Sequence, residues 1–127
     1  MVGIVLVSHS RTLVRGLQEM LAQIGSDEVP VALAGGTADG GLGTSVDQVE
    51  AAIEVADRGD GVVVIPDLGS AVLSVKSVLG GADHGNVVLV DAPFVEGAVA
   101  AAVTAASGAP LDEVADAARQ ARDVPKL

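Results

Sequence analysis

No cysteine, tryptophan or tyrosine occurs in the chain, and Phe94 is its single aromatic residue. Absence of cysteine excludes a disulfide framework and thiolate chemistry, and it fits a reducing compartment. Absence of large rings leaves Val, Ala, Leu and Ile to build the core. Cations are also scarce: Lys plus Arg total 7 against 17 Asp plus Glu, a formal net charge of −10. A polyanion of that density repels nucleic-acid backbones and anionic membranes, so neither partner is expected. No apolar run reaches the roughly 18 to 20 residues of a membrane span, and Met1 leads into a strand-like segment with no basic leader, so the expected location is the cytoplasm. Two histidines with no H-x-x-x-H spacing and no carboxylate cluster do not make a metal site, and no cofactor is expected. A nucleoside-triphosphate P-loop is missing as well, and the first strand's turn reads SHSR where a dinucleotide fold carries its glycine fingerprint.

What the chain does contain is 50% hydrophobic residues over 127 positions, enough for one domain spanning 1–127 with its own core. Val-rich runs at 2–7, 29–34, 61–66 and 87–90 lack polar alternation, which marks strands buried on both faces. Between and after them lie helical patterns: 13–24, 46–56, 71–79, 95–106 and 111–121. Strand followed by helix, repeated, predicts an α/β fold: an open, mainly parallel four-stranded sheet of order 2-1-3-4 with helices on both faces. An antiparallel edge strand is left open. Ser8 or Ser10 is expected to cap the first helix and Thr44 or Ser45 the second, and Asp91 precedes the fourth. Gly25 and Gly80–Gly81 occupy positions suited to left-handed C-terminal caps, Pro110 is expected to begin the last helix, and the tail RDVPKL to fray.

In a sheet of that order the winding reverses between strands one and three, and their carboxyl ends face a shared crevice. Ser8-His9-Ser10 leaves one of these strands and Pro66-Asp67-Leu68-Gly69-Ser70 the other, so His9 and Asp67 are expected to face each other. A carboxylate holding the proton of one imidazole nitrogen leaves the lone pair of the other free as a nucleophile. The competing reading of His9 is a capping or packing residue at a helix start. The loop GGTADGGLGTS at 35–45 offers many backbone N–H groups, with Thr37 and Ser45 adding hydroxyls; it reads either as an anion nest or as a plain mobile turn. Arg11 and Arg15 lie one turn apart, placed to approach a phosphoryl oxygen or to face solvent. His84 reads as a solvated loop residue.

GIVLVSHS, GGTADGGLGTS, DLGSA at 67–71 and APFVEGA at 92–98 together resemble the phosphotransfer subunits of phosphotransferase-system-dependent dihydroxyacetone kinases, within the mannose-type enzyme IIA superfamily. The resemblance covers essentially the whole chain. It implies a phosphohistidine carrier, a subunit of a phosphoenolpyruvate–glycerone phosphotransferase. His9 would accept a phosphoryl group from the carrier protein HPr and pass it to ADP held on the nucleotide-binding kinase subunit, so that dihydroxyacetone is phosphorylated. By position, His9 matches the phosphoacceptor and Asp67 its orienting partner, while Gly36, Thr37, Gly69 and Ser70 match the surroundings of the phosphoryl oxygens. A homodimer is implied. Some relatives continue into HPr-like and enzyme I-like domains, which this chain would obtain from separate proteins. Alternative readings are a sugar-transport enzyme IIA that passes phosphate to a IIB protein, and a non-catalytic regulatory domain that binds a small anion in the same crevice.

Overall fold

In the computed structural model, which describes residues 1–81 and 85–127, strands and helices alternate along the chain. The elements are β1 (Gly3–Ser8), α1 (Arg11–Ile24), β2 (Val31–Gly35), α2 (Val46–Ala56), β3 (Val62–Pro66), α3 (Gly69–Gly81), β4 (Val87–Leu89), α4 (Phe94–Ala106) and α5 (Leu111–Gln120), closed by a 3-10 turn at Ala121–Asp123. The sheet order is β2-β1-β3-β4 with every pairing parallel, as the strand–helix alternation predicts. Among the described residues no fifth strand joins it. His84 lies outside the described residues.

Alternate strand positions feed two cores. Ile4, Leu6, Val63 and Ile65 point into the layer covered by α1, α4 and α5, and Val5, Val7, Val62 and Val64 into the layer under α2 and α3. All eight are fully buried, which accounts for the uniformly apolar Val-rich strands. Small residues set the spacing on the first face. Ala98, Ala101, Ala102 and Ala105 of α4 meet Ala115 and Ala118 of α5, so backbones come close without any large ring.

Helix punctuation departs from expectation in several places. Ser10 and Ser45 are the N-caps of α1 and α2, each accepting from a backbone N–H three residues on. Gly25 does end α1, but at φ −91°, so left-handed geometry is not its purpose. A Cβ there would lie 3.2 Å from the Leu21 carbonyl oxygen, which accepts the Gly25 N–H, and in ordinary contact with the Ala102 Cβ at 3.4 Å, so a side chain would crowd the last turn of α1. Gly80 and Gly81 continue α3, whose start lies earlier than expected, at Gly69. Pro93, without a side-chain cap bond, opens α4, and Pro110 takes the cap position of α5. Asp91 instead pairs with Arg122 at 2.8 Å. Together with Lys126 Nζ on Glu96 at 3.0 Å, this pair lays the tail expected to fray back along α4. Such exposed pairs contribute little stability individually.

Gly3 is the tightest point of the sheet. A Cβ built there would sit 2.1 Å from the backbone oxygen of Ala56, at the end of α2. Relief requires the end of α2 to lift from β1. Gly3→Ala should therefore cost about 3 kcal/mol, at the upper end of ordinary overpacking penalties, with the m-value unchanged. Urea denaturation checks this, and a loss below about 1 kcal/mol would show that α2 moves freely over the strand.

Candidate active site

The site forms where β1 and β3 run out side by side. Register pairs Val7 with Pro66, and Asp67 N–H donates to the Val7 carbonyl at 2.9 Å, so the ladder extends one residue past β3. Ser8, His9 and Asp67 thereby meet at the carboxyl edge of the sheet. His9 Nδ1 lies 3.0 Å from Asp67 Oδ1, with the two side chains 23% and 10% exposed. The crevice inferred from strand order is thus spanned by the expected pair of side chains.

Asp67 is held at both oxygens. Oδ2 accepts from Ser8 Oγ at 2.8 Å and from His9 N–H at 3.1 Å. Oδ1 accepts from Leu68 N–H at 2.7 Å and faces the imidazole. Burial pushes the Asp67 carboxyl pKa up, but the hydrogen bonds from Ser8, His9 N–H, Leu68 N–H and the His9 ring outweigh it and hold the group below its ordinary value of 3.8. An ionised carboxylate can only accept, so the proton of a neutral ring resides on Nδ1 and the lone pair on Nε2. That nitrogen points to the Ser70 hydroxyl, which is then the donor to it.

Ser70 and Gly69 open α3, where backbone N–H groups precede the first intrahelical bonds. Nε2 is therefore next to the positive end of a helix. Gly36 and Thr37 stand on the opposite flank, after β2, with Gly36 N–H donating to the Ser8 carbonyl at 3.2 Å. The glycine loop is neither an open nest nor a loose turn, because many of its donors are already engaged. Thr37 N–H binds the Gly41 carbonyl at 2.9 Å, Gly40 N–H the Thr37 carbonyl at 3.0 Å, and Gly43 N–H the His9 carbonyl at 3.0 Å. The Thr37 hydroxyl donates to Asp39, and Ser45 is spent on the α2 cap. Positive φ at Gly36, Gly40 and Gly43 permits this folding of the loop on itself. Thr44 then ties it to α3 through Ser74, 2.5 Å between hydroxyl oxygens.

Arg11 is exposed and reaches over the loop, its Nη1 3.9 Å from the place a Gly40 Cβ would take. Arg15 instead lines a surface cleft with Gln18, Glu19, Asp27 and Arg58, at the start of β2 and away from the histidine. Among the described residues no group of three or more His, Cys, Asp or Glu side chains could hold a metal, and no helix is long and apolar enough to cross a membrane. Two contributors escaped the sequence reading as parts of the site: the Ser8 hydroxyl and the Leu68 backbone N–H. Ser8 had a signal, as a polar residue ending an otherwise apolar strand; Leu68 contributes only backbone and had none.

The family model described as PTS system fructose IIA component, EIIA-man, matches residues 3–115. One similar curated protein is the phosphoryl donor subunit DhaM of PEP-dependent dihydroxyacetone kinase 2 from Listeria innocua, 40% identical over 81% of this chain and 85% of that protein. Another is the corresponding subunit from Escherichia coli, 42% identical over 90% of this chain but only 25% of that longer protein. A crystal structure described as a protein of unknown function superposes with a TM-score of 0.84 at 36% identity, covering 94% of this chain and 95% of the other.

The depressed carboxyl has a consequence for stability. The fold binds the ionised form of Asp67 more tightly than the unfolded chain does, so this contribution is fully present above 3.8 and disappears as pH falls through the lower folded value. Asp67→Asn should remove that part of the acid dependence, flattening the fall of the thermal midpoint between about pH 5 and pH 2. Parallel curves for the two proteins would contradict it.

Proposed function

We propose that this chain, which belongs to the EIIA-man family and within it to the phosphoryl-donor subunits of dihydroxyacetone kinase, carries a phosphoryl group on His9 Nε2. One observation carries the reading: Asp67 occupies the Nδ1 side of the ring and leaves Nε2 at the edge of the sheet. In the first transfer the Nε2 lone pair attacks phosphorus while the P–N bond of a donor phosphohistidine on HPr breaks, its electron pair returning to the donor nitrogen. The Nδ1 proton stays in place, and the positive charge gained by the ring is matched by Asp67. In the second transfer an oxygen of ADP's terminal phosphate, on the nucleotide-binding kinase subunit, attacks phosphorus. The P–N electrons return to Nε2, ATP forms there, and dihydroxyacetone is its final acceptor.

Stabilisation of the moving group is mostly positional and electrostatic, as its loose transition state requires. Gly69 and Ser70 supply backbone donors and a hydroxyl at the start of α3, and Ser70 Oγ turns from Nε2 to a phosphoryl oxygen. Gly36 and Thr37 border the group on the other flank. The donor and acceptor are both proteins, and the rim fits visitors of that kind: Leu42, Leu68 and Leu73 stand 82%, 63% and 68% exposed on the segments that carry the site. A homodimer in the cytoplasm is the assembly this reading carries with it. The Listeria innocua relative, a phosphoryl donor subunit of dihydroxyacetone kinase matched over 85% of its length, supports the kinase as acceptor.

Incubation with phosphoenolpyruvate, enzyme I and HPr, followed by mass spectrometry and peptide mapping, should place one acid-labile phosphate on His9. His9→Gln should fold and take up none, and Asp67→Ala should slow uptake by about 10²-fold through a misoriented ring. On addition of the ADP-loaded kinase subunit, the label should appear in ATP. Absence of any adduct on the wild-type protein would end the carrier reading, and transfer to a IIB protein in place of ADP would move it to sugar transport.

A further inference from the structure

Among the described residues Ser8 is the one buried polar side chain, with no exposed surface at all. The buried end of a Val-rich strand is an unfavourable place for a hydroxyl unless its hydrogen bonds are satisfied. Ser8 Oγ donates to Asp67 Oδ2 at 2.8 Å and accepts from Ser10 N–H at 3.0 Å. The carboxylate has one rotatable bond that matters here, the twist of its own plane. Backbone donors from His9 and Leu68 each hold one oxygen, but His9 is the residue being oriented. The Ser8 hydroxyl is the side-chain anchor from the strand itself, which is rigid on both faces.

We propose that Ser8 is a positioning residue for the phosphotransfer: its hydroxyl fixes Asp67 Oδ2, so that Oδ1 is aimed at His9 Nδ1 and the free lone pair of the ring stays on Nε2. This rests on the carrier reading for its role in transfer, though not for its effect on the ring. Removing the hydroxyl takes away one charge-assisted hydrogen bond and leaves Oδ2 held only by the His9 N–H, which belongs to the residue being oriented, so the aim of Oδ1 loosens. The ring then samples the tautomer with its proton on Nε2, which has no lone pair to offer.

The test is a double-mutant cycle in the full chain. Ser8→Ala should lower the rate of His9 phosphorylation by HPr about tenfold, the scale of one hydrogen bond to a charged group. Added to Asp67→Ala, the same change should alter the rate less than about twofold, because its route of action is gone. A tenfold loss in both backgrounds would mean that Ser8 acts through Ser10 and the start of α1, and would overturn the proposal; so would a wild-type rate in Ser8→Ala. Nitrogen-15 NMR of the unphosphorylated ring gives a second readout that needs no partner protein. Wild type should show the Nδ1-protonated tautomer, and Ser8→Ala a mixture of both. A mixture in wild type, or an unchanged tautomer in Ser8→Ala, refutes the positioning role even if HPr transfers phosphate normally. Conversely, a wild-type protein that takes up no phosphate but shows the expected tautomer shift fails only as a carrier. Ser8→Cys, close in volume but a weak donor, repeats both measurements with packing preserved, and wild-type behaviour there would also overturn the proposal.

Discussion

Parallel register between β1 and β3 is the constraint on which the site depends. Val7 lies opposite Pro66, so Ser8 at the end of β1 with His9 just beyond it, and Asp67 just beyond β3, come together. A slip of one residue would exchange the two faces of a strand and carry His9 away from the carboxylate. Both faces are buried here, but a slip is still resisted by size: Ile4, Leu6 and Ile65 fill the side under α1, α4 and α5, while β1 and β3 turn only valines toward α2 and α3. The Asp67 N–H bond to Val7 O then continues the ladder into the site, so the position of the acid is a property of the sheet and not of a loop.

Much of this was legible in the sequence because it follows from topology. Four apolar runs separated by helical patterns limit the sheet to few orders, and the order with its reversal between β1 and β3 brings His9 to Asp67 without any knowledge of side-chain detail. Where the outcome depended on which donors were already engaged, the sequence left two readings of the loop open. GGTADGGLGTS has the composition of an anion nest, yet Gly40, Gly41 and Gly43 spend their N–H groups on Thr37, Asp39 and His9. Composition reports how many donors a loop has, and only the folded path decides how many remain. The left-handed caps expected at Gly25 and Gly80 were misread for a related reason: glycine also ends a helix without positive φ and also tolerates a helix interior, and spacing alone does not separate these uses.

Closing the glycine loop on itself has a mechanical effect at the histidine. Gly43 holds the His9 carbonyl, Gly36 the Ser8 carbonyl, and Thr44 reaches Ser74, which in turn bonds the Ser70 carbonyl at 3.2 Å. Both flanks of the ring are therefore connected through hydrogen bonds that do not involve the imidazole. A loop secured in this way costs less to order when a partner docks, because its conformational entropy has already been lost on folding.

In the proposed carrier the same carboxylate has to serve two opposite steps, and its electrostatics suit both. Before transfer, an anion at Nδ1 raises the electron density that Nε2 offers to phosphorus. After transfer, it stabilises the protonated ring, and a protonated imidazole is a good leaving group. A carboxylate that could gain a proton would weaken both effects, so the bonds that depress Asp67 keep it ionised in either state. The phosphoryl dianion sits at the far nitrogen, separated from Asp67 by the ring and adjacent to the positive start of α3. In that carrier, attraction at the start of α3 works against the repulsion a phosphoryl dianion meets from a protein of net charge −10.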